Sequence, residues 1–177
     1  MELHWYRGQK CKNCESIKDC KEIVHIFSIG HHVPLEAGKD DFSKDIMYFY
    51  KYGYDDLLNR LLDKFTNLFN VRFKDDIKFD LICVIPTSEK DGINKNMVLF
   101  AEHASKRTGI PFKQILMRKR SIKKQHEITT SEERFENVKD SIEITEDVKG
   151  KNILVLDNTC STGANCREVY DALKRAG

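Results

Sequence analysis

An α/β fold built on a doubly wound, mostly parallel sheet is predicted for this chain of 177 residues. Three observations lead there. Two short apolar runs, Phe79 to Ile85 and Ile153 to Leu156, are each stopped by a polar turn. Runs of that length read as strands buried on both faces. Each turn is followed by a segment with apolar residues at helical spacing. The order strand, helix, strand, interruption, strand, helix then recurs along the chain. Ahead of this domain, assigned to residues 46–177, lies a smaller N-terminal segment of residues 1–45.

That segment carries Cys11, Cys14 and Cys20 among many lysines, followed by His25, His31 and His32. Two cysteines separated by two residues can reach one tetrahedral ion, and a third thiolate with an imidazole completes a structural zinc site. Cys11, Cys14, Cys20 and His25 are the expected ligands, with His31 or His32 as substitutes for the last. Ile23 to Ile29 also reads as a strand, in which His25 would be an ordinary strand residue. A zinc ion held this way would tie down a segment too polar to fold alone. Four protein ligands would leave no open position for catalysis.

Pro34 to Lys44 reads as a loop, broken by Gly38 and the Lys39-Asp40-Asp41 run. The aromatic run Ile46 to Gly53, with Lys51 inside it, reads as a half-buried strand or a lead into a helix. A ledge for stacking bases is the functional alternative. From Asp55 a helix is clear, with Leu57, Leu58, Leu61, Leu62, Phe65, Leu68 and Phe69 on one stripe. After Pro86-Thr87-Ser88 a polar loop runs to Gly92. A second helix follows with Met97, Val98, Phe100, Ala101 and Ala104, ending at Thr108-Gly109 with Pro111 beyond. Phe112 to Leu116 reads as a further strand.

Between Arg118 and Val138 the core periodicity lapses. The cations Arg118, Lys119, Arg120, Lys123 and Lys124 precede Gln125-His126, Thr129-Thr130-Ser131 and Glu132-Glu133-Arg134. A charged loop of this length reads as a lid closing over a polyanion, or more plainly as a solvated excursion.

The last strand leads into Asp157, Asn158, Thr159, Cys160, Ser161, Thr162, Gly163, Ala164 and Asn165, then a helix with Val169, Ala172, Leu173 and Ala176. A strand, tight turn and helix in that order point backbone N–H groups and the positive end of a helix dipole at one spot, which suits a phosphate. Asp157 and Asn158 would flank it and hold vicinal hydroxyls. The plain alternative is an ordinary connection between strand and helix. Ligands of doubly wound sheets sit beyond the carboxyl ends of the strands, so Thr87–Glu89 and Asp157–Gly163 are expected on one rim. Cys160, beside a helix start, could have a lowered thiol pKa or simply fill space.

Composition bounds the rest. A charged fraction of 33% with a net charge of +2 neither requires nor excludes nucleic acid. No apolar run approaches membrane-spanning length and the start lacks a signal-peptide core, so a cytoplasmic protein without membrane contact is expected. Three of the six cysteines crowd near the N-terminus. That spacing fits a metal cluster in a reducing compartment better than a disulfide framework.

The stretch from Ile153 to Gly163 resembles the ribose-phosphate loop of the type I phosphoribosyltransferases: an apolar strand, two acidic residues, two variable residues and Thr-Thr-Gly. Asn158 stands at the second acid and Ser161 at the first threonine. Further likenesses narrow this to the ComF-like branch, associated with competence and DNA uptake. They are the cysteines Cys11, Cys14 and Cys20, Tyr50-Lys51-Tyr52-Gly53, Ile85-Pro86-Thr87-Ser88, Gly92-Ile93-Asn94, Gln125 and Arg134-x-x-Asn137-Val138.

The resemblance implies the type I phosphoribosyltransferase fold and an enzyme of the glycosyltransferase class. It would bind phosphoribosyl pyrophosphate (PRPP) with Mg²⁺ and transfer phosphoribose to an acceptor, releasing pyrophosphate. Asp157 and Asn158 would hold the ribose hydroxyls as the catalytic pair, and Thr159 through Asn165 would bind the phosphate. Thr87, Ser88 and Glu89 would form the pyrophosphate loop, chiefly through backbone amides. Lys119, Arg120, Lys123 or Lys124 would close in from the lid. Ser161 stands where 6-oxopurine salvage members carry a carboxylate, which argues against purine-base salvage. Asn158 removes a charge that would favour Mg²⁺, Asp91 stands where relatives carry a basic residue, and relatives continue into a further strand past the equivalent of Gly177. The alternative is a catalytically impaired member using the same pocket to sense a nucleotide or to bind nucleic acid or a protein partner.

Overall fold

A computed structural model of the chain describes residues 4–6, 25–30, 40–73 and 77–177. The chain forms two compact units, residues 1–78 and 79–177.

In the first unit, β1 (His4–Tyr6) pairs in parallel with β2 (His25–Phe27). The expected zinc ligands Cys11, Cys14 and Cys20, the side chain of His25, and the substitutes His31 and His32 lie outside the described residues. Helix α1 (Asp41–Tyr52) begins inside the stretch read as loop up to Lys44. Asp40 is the reason: its carboxylate accepts from the Ser43 amide at 2.8 Å and caps the helix. The aromatic run is therefore helical, with Phe49 buried and Tyr48 and Tyr52 exposed. Helix α2 (Asp55–Arg72) follows the predicted stripe, with Leu57, Leu58, Leu61, Leu62, Phe65 and Phe69 buried. Arg60 on α2 meets Asp45 on α1 at 3.0 Å.

The second unit is mixed α/β around a small parallel sheet. Strands β3 (Leu81–Val84) and β6 (Ile153–Leu156) pair in parallel, with Leu81 opposite Ile153 and Val84 opposite Leu156. Every β3 residue is buried, whereas those of β6 are half-buried. On its other edge β3 meets Phe112 through a single parallel bridge at Ile82. The strand read over Phe112 to Leu116 shrinks to that bridge because the Gln114 side chain takes over the next position. Its Oε1 accepts from the Val84 amide at 3.2 Å, and its Nε2 donates to the Val84 carbonyl at 2.9 Å. The chain then forms β4 (Leu116–Arg118), which pairs antiparallel with β5 (Ile142–Ile144). Leu81, Cys83, Ile115, Leu116, Ile142 and Val169 are among the residues that form the core.

Helix α3 (Lys95–Thr108) packs on β3. The Asn94 side chain caps it, accepting from the amides of Asn96 and Met97 at 3.0 Å. Met97, Phe100, Ala101 and Ala104 form its buried face. Asn94→Ala is expected to lower stability by about 1 kcal/mol in a urea titration. Asn94→Ser should restore most of that, and an unchanged midpoint for the alanine variant would show the cap to be dispensable.

Helices α4 (Ser131–Val138) and α5 (Ala164–Ala176) pack on each other, and α5 also packs on β5. Among the described residues no helix is long and apolar enough to cross a membrane.

Candidate functional site

Parallel pairing decides where the two predicted loops emerge. The Ile85 amide donates to the Leu156 carbonyl at 3.0 Å, extending the β3–β6 ladder to the last residue of β6. The chain therefore leaves both strands at the same edge of the sheet, as expected of one rim.

After β6 the backbone turns through Gly163, whose φ of +81° lies in the left-handed region that favours glycine. Gly163 offers α5 no side-chain cap. The first-turn amides of a helix have no acceptor within it, so they carry the positive end of the dipole outward. They border a concavity that opens to solvent. Asp157, the loop Thr159–Gly163, the first three residues of α5 and Gln125 line it.

Asp157 is open to solvent by surface area, yet protein crowds the inner side of its carboxylate. Desolvation there raises its pKa to about 6, against hydrogen bonds from the amides of Asn158 and Thr159 and the charge of Arg118. Water on the open side moderates that rise. The Asn158 amide donates to Asp157 Oδ1 at 2.9 Å. Asn158 does not line the concavity, so the two residues predicted to act as a pair take different places.

Arg118 joins the rim together from beneath. It is 1% exposed. Its Nε donates to the Thr87 carbonyl at 3.0 Å and its Nη2 to the Pro86 carbonyl at 3.4 Å. Nη1 donates to Ser141 Oγ at 2.6 Å, and Nη2 also reaches Asn165 Oδ1 at 3.3 Å. One guanidinium thus spans the turn after β3, the start of β5 and the first turn of α5. Burial lowers its pKa to about 10, with Glu168 and Asp157 opposing at longer range, so it stays charged at neutral pH. Glu168, itself buried, accepts from the amides of Asp140 and Ile142 and thereby anchors β5 to α5.

Thr87, Ser88 and Glu89 sit on the same rim but do not line the concavity. Their turn is closed on itself and on its neighbours. The Thr87 amide donates to the Gly92 carbonyl and the Gly92 amide to the Glu89 carbonyl, both at 3.0 Å. The amides of Lys90 and Asp91 are taken by Ser121 Oγ and the Arg118 carbonyl. A Cβ on Gly92 would lie 2.3 Å from Thr87 Oγ1, which explains the glycine. Asp91, expected as a basic residue on resemblance, adopts a φ of +53°, a conformation that aspartate tolerates better than most residues. The amides expected to grip pyrophosphate are thus largely engaged within the protein.

The charged segment 118–138 is folded down. A short 3₁₀ turn at Gln125–Glu127 precedes α4, which Thr130 caps by accepting from the Glu133 amide. Asn137 exchanges hydrogen bonds with the backbone of Lys123, at 3.1 Å and 2.8 Å. Arg120 donates to the carbonyls of Asn137 and Lys139. Arg134 holds the Ile128 carbonyl and reaches Ser161 Oγ at 3.4 Å. The expected cations therefore divide: Arg120 is committed to backbone oxygens, while Lys119, Lys123 and Lys124 are exposed. Gln125 Nε2 donates to the Arg134 carbonyl, and its Oε1 is buried with no protein partner.

Compared with protein-family models the chain matches none, and a search of curated proteins also finds no match.

Sequence reasoning missed the parts played by Arg118, Gln125 and Cys166. Arg118 sits in a run of cations, and nothing local separates the buried one from its exposed neighbours. Cys166 lies six residues from Cys160, and only the turn at Gly163 brings their sulfurs to 3.5 Å.

Proposed function

We propose that the rim holds the phosphoribosyl group of PRPP, with the phosphate on the turn from Thr159 to Asn165 and the ribose hydroxyls at Asp157. The single observation that carries this reading is the uncapped start of α5 facing a concavity that also contains a carboxylate. The small β3–β6 pair is then the centre of a doubly wound sheet of the phosphoribosyltransferase kind, and Arg118 is the cation behind both loops. Asp157 offers the hard oxygen ligand that Mg²⁺ takes; the ion would help neutralise charge on the pyrophosphate. The chain's own work is orientation. The α5 amides fix the phosphate, Asp157 fixes the sugar, and the engaged lid limits water near the anomeric carbon. Gln125 Oε1 is an acceptor suited to an N–H or O–H of the ligand. On this reading a nucleophilic acceptor displaces pyrophosphate.

A second reading is favoured by the turn after β3, whose amides are largely engaged internally. The pocket would then bind a nucleotide without turning it over, as a sensor or as a module for a nucleic-acid or protein partner. Calorimetry with PRPP and Mg²⁺, followed by a pyrophosphate-release assay across candidate bases, separates the two. Micromolar binding with release is expected for the transferase, and binding without release under any acceptor indicates the sensor. Absence of binding at millimolar PRPP removes both.

A further inference from the structure

Two thiols face each other in the wall of the concavity. Cys160 Sγ lies 3.5 Å from Cys166 Sγ, and both residues line the space. Cys160 belongs to the irregular loop, whereas Cys166 is the third residue of α5. A disulfide needs its sulfurs at about 2.05 Å, so closure asks for a displacement of roughly 1.5 Å by a loop residue, with no change in the fold. Cys83 gives the internal contrast: it is buried in the core, and burial raises its thiol far above the usual range.

We infer that Cys160 and Cys166 form a reversible intrachain disulfide, and that this bond closes the concavity to its ligand. Between the two cysteines lie Ser161, Thr162, Gly163, Ala164 and Asn165. The bond would therefore enclose all of the proposed phosphate-binding turn except Thr159 in a covalent ring. Drawing the sulfurs together narrows the space from its loop side and carries Cys160 towards the first-turn amides of α5. The claim about the ligand rests on the proposed function; the claim about the bond does not.

The two thiols are also chemically unequal. The hydrogen bond from Cys166 and the Gly163 amide lower the pKa of Cys160, against desolvation and the nearby Asp157. The same pairing, together with burial, raises that of Cys166. Cys160 is thus the attacking thiolate and Cys166 the resolving thiol. With a low-molecular-weight disulfide such as oxidised glutathione as oxidant, the Cys160 thiolate attacks one sulfur of the oxidant and expels a glutathione thiolate. Cys166 then loses its proton to solvent and attacks Cys160 Sγ, expelling the second glutathione thiolate. Both departing thiolates end as glutathione according to their protonation, two protein thiols are oxidised, and one glutathione disulfide is reduced.

The test uses the full chain equilibrated in glutathione buffers of graded redox ratio, quenched by alkylation, digested with trypsin and weighed. Residues 152–167 form one tryptic peptide containing both cysteines. In oxidising buffer this peptide is expected to escape alkylation and to weigh two hydrogens less than its dithiol form. Dithiothreitol should reverse the change, and Cys160→Ser should leave Cys166 alkylated throughout. A peptide that stays fully alkylated, stops at a glutathione adduct, or links instead to Cys11, Cys14 or Cys20 overturns the inference. PRPP with Mg²⁺ is then titrated into both forms. A loss of affinity of about tenfold or more on oxidation is expected, and equal affinity overturns the closure. If the reduced protein does not bind PRPP while the disulfide still forms, the proposed function fails and the bond stands.

Discussion

Arg118→Met is expected to lower the unfolding free energy by about 3 kcal/mol. Methionine approximates the aliphatic stem but supplies none of the donors. The carbonyls of Pro86 and Thr87, Ser141 Oγ and Asn165 Oδ1 all lose a partner at once. A buried oxygen left without a donor loses far more than the net worth of an ordinary hydrogen bond, because it has surrendered water and gained nothing. Arg118→Lys keeps the charge but cannot span three elements with one ammonium, so it should recover only part of the loss. Denaturant titrations of the three proteins measure this directly. A loss below about 1 kcal/mol for the methionine variant would mean that the rim holds together without its guanidinium. The same variant should weaken PRPP binding more than Lys119→Met, because Arg118 positions both loops while Lys119 is exposed.

Ligand affinity should depend on pH through Asp157. Desolvation of the inner side of its carboxylate raises its pKa above the ordinary value of 3.8 in the folded protein, by less than full burial would because its outer side meets water. Only the ionised carboxylate offers acceptors to two ribose hydroxyls or a full charge to Mg²⁺. PRPP affinity is therefore expected to be level above the folded-state value and to fall by about tenfold per pH unit below it, following uptake of one proton. Stability should move the other way. Between the two pKa values the folded state binds more protons at this group than the unfolded state does. The contribution of Asp157 to stability therefore decreases as pH rises through that window. Asp157→Asn should abolish the pH-dependence of binding and bind weakly at every pH. If the variant keeps the profile of the parent, another group governs the titration and the ribose site is misplaced.

Much of the architecture was legible because it rests on local chemistry. Helix α2 has an uninterrupted apolar stripe, and α3 begins at Asn94 and stops at Gly109, where cap and breaker coincide with the end of the periodicity. Strands β3 and β6 stood out as short apolar runs. Legibility failed where a side chain competes with the backbone. Asp40 turned a presumed loop into the first turn of α1, and Gln114 occupied a backbone position that a strand would have used. Most of the concavity's lining, Asp157 and Thr159 to Asn165, was readable because those residues lie close together in the chain. Its supports were not, because Arg118, Gln125 and Glu168 reach it through pairings between segments far apart in the chain. Arg134 and Asn137 act as ties that hold the segment down, and that use depends on contacts with Ile128 and Lys123 which no local pattern shows.

The partnership of Val84 with Leu156 also orders events during synthesis. By the time β3 leaves the ribosome, the strand that completes its ladder has not yet been made. Contacts between distant segments must overcome the entropy of the chain they enclose, and they form slowly. The nascent protein therefore carries an unmatched apolar strand edge until β6 has been made, the interval in which a chaperone would have most to hold. A message interrupted after α4 would yield a chain with one loop of the rim and no opposing loop, because β6 and the turn after it follow α4.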